Sequence, residues 1–362
     1  MNEIKFNLDS GFFHPEELKV IESEELSASL FRYRTGVCGI RFVNGRGSIE
    51  LLPYQGQQIW RAQFDGRELG MKTAFNEPVN TTDFLKTFGC FMLHCGALRV
   101  GAPSPGDNHP LHGELPNAPY QNAWISTGND KPGSYISLCG SYDYKEFFGP
   151  QYSAKPMVKL RADSSEIEIS MKIRNTGNKP MELMYVCHIN FQPVIGSRLE
   201  YSAEYSPKVV RSRSSIPSHI KPGPGYLELV NALQSDPTLH HNITNELKAD
   251  PELCFYIDYS ADDDGRCFTL QVHRDGNSDF VCHLKKQLPR ATRWISITPD
   301  HEAMAIVEPG TCETEGYHTE KEKGNIKILA PGEEFICNIR AGKLDAPETS
   351  RVLEKIKTLF NR

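Results

Sequence analysis

The chain has 362 residues, 39% of them apolar and 24% charged, with a formal charge of −6. That is the composition of an ordinary globular protein with enough length to bury a substantial core. A nucleic-acid binder would show a basic stripe, and no Lys/Arg-rich run is present. No run of about 18 apolar residues could span a bilayer, and MNEIKFNLDS lacks the apolar stretch of a secretory signal, so a cytoplasmic protein without a membrane partner is expected.

In chain order, Glu16–Leu30 reads as one or more helical turns, followed by a strand pair at Val37–Phe42 and Ser48–Leu52. Gly101–Pro119 is too broken by Pro and Gly for regular structure, yet it carries His109, His112, Asp107 and Glu114. Loops held on a rigid scaffold are where binding groups concentrate. Within residues 158–174, Ile167, Ile169, Met171 and Ile173 alternate with polar neighbours, the period of a half-buried strand. A turn at 175–180 and an apolar strand at Met181–Phe191 then suggest a hairpin. Residues 206–225 are irregular, rich in Pro and Ser.

Leu253–Tyr259 and Cys267–His273 flank a turn at Ala261–Gly265. Further short strands follow at Asp279–Lys285, Trp294–Thr298, Ala303–Val307, Ile326–Leu329 and Glu334–Ile339. The chain closes on an amphipathic helix at 349–360, with Val352, Ile356 and Leu359 on one face. Many short strands without alternating helices point to an all-β protein, a large antiparallel sandwich in a single domain spanning 1–362, with few short helices.

The ten cysteines show no C-x-x-C pair, so buried free thiols are expected rather than disulfides or a metal site. Cys90, His94 and Cys95 would alternate across a strand and make poor zinc ligands together. A divalent ion on the loop carboxylates with His109 and His112 is the other metal reading. No nucleophile elbow or dinucleotide fingerprint appears.

Three places combine ionisable groups with an unusual setting. They are Asn108-His109-Pro-Leu-His112-Gly113, Cys187-His188-Ile-Asn-Phe191 and Val307-Glu308-Pro309. Taken singly each has a bland explanation: a surface loop, a satisfied core histidine, a solvated strand end. In this order they resemble the aldose 1-epimerases of the galactose-mutarotase superfamily. The likeness covers about residues 35–342, leaving 1–34 as an extension, and is greatest to a poorly characterised branch. That branch is marked by Phe88-Gly89, Cys95-Gly96, His112-Gly113-Glu114-Leu-Pro-Asn117, Glu308-Pro-Gly-Thr311 and Leu329-Ala-Pro-Gly-Glu333. Typical members have a second glycine where Glu114 stands.

The resemblance implies a β-supersandwich, a small sugar as substrate, neither cofactor nor metal, and an assembly compatible with a homodimer. It also implies interconversion of sugar anomers. A base removes the C1 hydroxyl proton, an acid protonates the ring oxygen, and the opened sugar recloses on the other face. Glu308 would be the base and His188 the acid, with His112 binding or polarising substrate oxygens. Glu308 should then be partly desolvated, with its pKa raised towards neutrality. Arg61, His109, Asn117, Gln192 and Trp124, or Trp60, are further candidate sugar contacts, whereas His301 and Glu302 are expected to be exposed. Two other readings remain: a non-catalytic carbohydrate-binding protein, and an epimerase or isomerase acting at another sugar carbon.

Overall fold

The computed structural model describes residues 3–213, 215–217, 221–247 and 249–360. Two antiparallel sheets make the body of the protein. The first has nine strands. It runs from Ile4–Asn7 through Asn122–Asp130, Gly133–Lys145, Gln151–Arg161, Glu166–Asn175, Glu334–Leu344, Ser278–Leu284 and Arg266–Val272 to Arg198–Tyr201. The second has thirteen. Its main path is Val210–Ser212, Leu253–Ile257, Arg290–Ile297, Glu302–Gly310, Met181–Ile189, Met92–Ala97, Ile59–Phe64, Gly47–Leu51, Cys38–Val43, Ser27–Arg32 and Leu18–Glu22. The large antiparallel sandwich expected from strand periodicity, and the supersandwich implied by the resemblance, are therefore the observed architecture.

The alternation in Glu166–Asn175 places Ile167, Ile169, Met171 and Ile173 in the core between the sheets. Met181–Ile189 is buried on both faces, and its two faces serve different ends. Met181, Leu183, Tyr185, Cys187 and Ile189 fill the inter-sheet core. Met184 and Val186 look the other way, into a second cluster with Trp60, Leu93, Cys95 and Cys312. His188 has the parity of that outer face.

Several local expectations are corrected. Glu16–Leu30 is not helical: Leu18–Glu22 and Ser27–Arg32 pair antiparallel, with Leu18 opposite Leu30. Ser23 closes the turn by donating its amide to Leu26 O at 2.9 Å. Burial of the whole run from Ala28 to Phe31 outweighs the helix-forming glutamates. The 158–174 stretch is two strands that turn at 162–165 and pair Leu160 with Ile167. Residues 175–180 make no hairpin, because Glu166–Asn175 and Met181–Ile189 belong to different sheets. A strand apolar on both faces needs cover on both, which a surface hairpin does not offer.

The C-terminal helix, Ala346–Phe360, lays Val352, Leu353 and Ile356 against Phe268, Leu270 and Phe280 of the nine-stranded sheet. All ten cysteines are free, nine buried and Cys139 half-buried. No helix among the described residues is long and apolar enough to cross a membrane.

Candidate active site

A cavity of about 340 Å³ opens on the outer face of the thirteen-stranded sheet. His188, from Met181–Ile189, and Glu308, from Glu302–Gly310, lie in its floor, with His188 Nε2 3.2 Å from Glu308 Oε1. No hydrogen bond forms across this contact, and Glu308 Oε1 and the other ring nitrogen, His188 Nδ1, are buried without hydrogen-bond partners among the described residues. His112 completes the trio, its ring centroid 5.5 Å from that of His188.

Glu308 reaches the cavity through a β-bulge. Thr292 stands opposite Glu308 and Trp294 opposite Ala305, so one residue, Arg293, faces two, Ile306 and Val307. Met304, Ile306 and Val307 all point into the inter-sheet core. With an unbroken period of two, Glu308 would share the face of Met304 and Ile306. The extra residue turns it to the opposite side.

His112 is set by backbone constraint. It is left-handed, with φ 60°, and is followed by Gly113 at φ 81°. A Cβ on Gly113 would lie 2.1 Å from Arg99 O, so glycine is required there. His112 donates its amide to Gly101 O and accepts from Gly96 N, both at 3.0 Å. Asp107 clamps the rest of the loop, accepting from Ser104 N at 2.8 Å and Tyr317 N at 2.9 Å and contacting the His318 ring. These donors hold the Asp107 carboxyl down near 2, against the opposing effect of burial.

Burial pushes the Glu308 carboxyl well above its ordinary range, reinforced by the negative Glu252 and opposed by Arg213. Burial also pushes His188 well below its ordinary value, helped by His112. The two shifts run in opposite directions, so burial favours the neutral carboxyl and the neutral imidazole side by side. Around this floor Phe84 packs on His112 at 4.9 Å, while Phe88 and Trp294 meet His188 at 5.5 and 5.6 Å between ring centroids. Glu252 accepts from Trp294 Nε1 at 2.6 Å and pairs with Arg213, so this arginine, the only Arg or Lys lining the cavity among the described residues, is already neutralised.

The structure thus brings Glu308, His188 and His112 together and places the other candidates elsewhere. Arg61 reaches the carbonyls of Phe75 and Asn76, both at 3.4 Å, outside the cavity lining. His109 joins the loop clamp, its Nε2 3.6 Å from Asp107. Asn117 is buried and accepts from Gln55 and Gln58 at 3.2 and 2.9 Å. Gln192 accepts from Gln271 through its backbone carbonyl at 3.1 Å, away from the cavity. Trp124 sits in the nine-stranded sheet under Lys5, whose Nζ is 4.0 Å from its ring centroid, and Trp60 is core. These five candidates and Trp60 border the motifs in sequence but spend their polar or apolar groups on structure. His301, expected to be exposed, lines the cavity and meets Ser296 Oγ at 2.8 Å.

Sequence reading missed the 71–88 segment, which supplies Met71, Phe75, Phe84, Leu85 and Phe88 to the cavity wall, and it missed Trp294, Arg213 and Glu252. The one signal available was the density of Phe around an Asn-Glu-Pro turn. The metal readings find no support in placement. Cys90 and Cys95 lie in the outer cluster while His94 turns inward to Tyr185 at 2.8 Å. Among the described residues, the group whose spacing suits an ion is Glu313, Glu315 and Glu320, and the Lys323 ammonium contacts all three.

The arrangement of the two sheets is the galactose-mutarotase-like fold. A candidate aldose 1-epimerase from Klebsiella pneumoniae superposes with a TM-score of 0.80 at 18% identity, over 99% of this chain and 96% of that one. A galactose mutarotase related enzyme from Lactobacillus acidophilus gives 0.54 at 12% identity, over 85% and 98%. A second candidate aldose 1-epimerase, from Escherichia coli K12, gives 0.52 at 11% identity, over 95% and 99%. Residues 34–341 match the family described as domain of unknown function DUF4432, and the chain belongs to that family. No curated protein matches the sequence.

Proposed function

We propose that the protein is an aldose 1-epimerase acting on a free, uncharged sugar. The observation that carries this reading is the Glu308–His188 pair, 3.2 Å apart in the floor of a sugar-sized cavity, where burial keeps a carboxyl able to give a proton beside an imidazole able to take one. Ring opening needs one proton removed at O1 and one delivered at O5. The pair supplies both without changing its total proton count. His112 lies where it can hold a substrate oxygen, and Trp294 offers a face for the sugar's C–H surface.

Charge selects among sugars. The lining carboxylates Glu252 and Asp300 outnumber Arg213, which is paired with Glu252. Among the described residues a phosphorylated or carboxylated sugar would meet no free Arg or Lys there.

The test is NMR exchange between anomers across a panel of free hexoses and pentoses, with glucose 6-phosphate and glucuronate as charged comparisons. Wild type should accelerate exchange of a neutral sugar, and Glu308→Gln should lose that acceleration. If no sugar exchanges faster than in buffer, the reading fails. If only charged sugars do, the substrate class is wrong.

A further inference from the structure

Arg293 is fully buried, an expensive place for a guanidinium, and makes no ion pair among the described residues. Its side chain is fixed from three directions. Nε donates to Ile306 O at 2.9 Å, and one arm donates to His240 Nε2 at 2.7 Å. Tyr201 lies beneath the guanidinium with its ring centroid 4.2 Å away.

The Ile306 carbonyl belongs to the bulge that turns Glu308 into the cavity. A bulge interrupts the ladder of its strand and leaves backbone groups to be satisfied by other means. Arg293 is the single residue opposite the doubled pair, so the side chain that satisfies the bulge comes from the same register position. His240 completes the support. An arginine can only donate, so His240 Nε2 must accept, which leaves Nδ1 protonated and directed to Pro237 O. Phe255 stacks on the His240 ring at 3.9 Å, closing the arrangement inside the protein.

We infer that Arg293 is a positioning residue: it holds the Ile306–Val307 bulge open and thereby aims Glu308 at His188. It never meets the sugar. Its role rests on the acid–base reading for its effect on rate, but its effect on Glu308 geometry can be measured without turnover.

The experiment compares wild type, Arg293→Met and Arg293→Lys by two measurements on the full chain. One is ¹⁵N NMR of the histidine rings, in which His188 reports its contact with Glu308 and is assigned by His188→Gln. The other is kcat and KM for anomer exchange per folded molecule. In Arg293→Met the His188 signal should move, and kcat should fall about 10²-fold, as for a small misplacement of a reacting group, with KM within about threefold. Lysine has one donor head and cannot hold both Ile306 O and His240, so Arg293→Lys should show a smaller change of the same kind. A purely structural arginine would lower thermal stability and leave kcat per folded molecule and the His188 signal unchanged, and that result overturns the inference. If Arg293→Met does not fold, a wild-type signal in Arg293→Lys overturns it equally. If wild type exchanges no sugar but the His188 signal still moves, Arg293 positions Glu308 and the mutarotase reading falls by itself.

Discussion

Glu114 and Glu308 are both buried carboxyls whose pKa burial raises, yet their surroundings differ in kind. Oε1 of Glu114 accepts from Ala97 N at 2.9 Å, Leu98 N at 3.1 Å and Tyr152 OH at 2.7 Å. That one oxygen ties the His112 loop to the end of Met92–Ala97 and to the nine-stranded sheet. Its carboxyl is raised to about 7, burial winning over the three donors. Oε1 of Glu308 has no hydrogen-bond partner among the described residues and faces a histidine across a cavity. A buried carboxyl fully spent on the scaffold is structural. One left unspent beside a proton acceptor, at a real cost in stability, is what a proton-transfer site requires.

The largest expected effect separates the two by rate. Glu308→Gln should lower anomer exchange by about 10²–10⁴-fold, the usual contribution of one positioned proton-transfer group. Glu114→Gln should leave kcat within a few-fold, because the amide oxygen still accepts from the backbone. Equal losses in both variants, measured by NMR exchange, would erase the distinction.

Stability against pH sharpens it further. Between the ordinary carboxyl value of 4.5 and about 7, native Glu114 holds a proton that the unfolded chain has released. Stability therefore falls as pH rises across that window, by about 1.4 kcal/mol per unit. Glu114→Gln removes this slope, so its stability relative to wild type should climb from pH 4.5 and level off near 7. For Glu308→Gln a climb of the same sign should start at the same pH, since burial raises that carboxyl too. Denaturant titrations of both variants at half-unit intervals would show the two climbs, and a pH-independent difference from wild type in either variant would contradict a raised carboxyl at that position. Tyr152→Phe, which takes one donor from Glu114, should cost about 1 kcal/mol and leave the rate unchanged.

How far the sequence reveals this contrast depends on the residue. Strand alternation through Ile167, Ile169, Met171 and Ile173 marks the sheet core because no bulge interrupts the register of that strand with either neighbour. His188 is legible for the same reason, as a polar break in an apolar strand on the face of Met184 and Val186. Glu308 is legible only by family likeness, since strict alternation would put it in the inter-sheet core and the bulge is invisible in the residue pattern. Trp124, Asn117 and Gln192 fail as site residues because adjacency in sequence does not carry across a sheet. Arg213, Glu252 and Trp294 come from separate segments that only the fold brings together.

The smallest effect concerns Thr292, which stands opposite Glu308 in register and lines the cavity. Its Oγ1 is buried and has no hydrogen-bond partner among the described residues, the same unspent condition as the carboxylate beside it. Thr292→Val keeps the branched shape and removes a buried hydroxyl without a partner among the described residues, so stability should rise by about 0.5–1 kcal/mol. A hydroxyl that earns its place by bonding the sugar should be missed on binding, by about 1 kcal/mol, or roughly fivefold in KM with kcat little changed. Opposite signs in the two measurements would extend the rule drawn from Glu308 to a neutral group. A stability loss with KM unchanged would mean that Thr292 is scaffold, and that an orphan polar group in this cavity floor does not by itself mark contact with substrate.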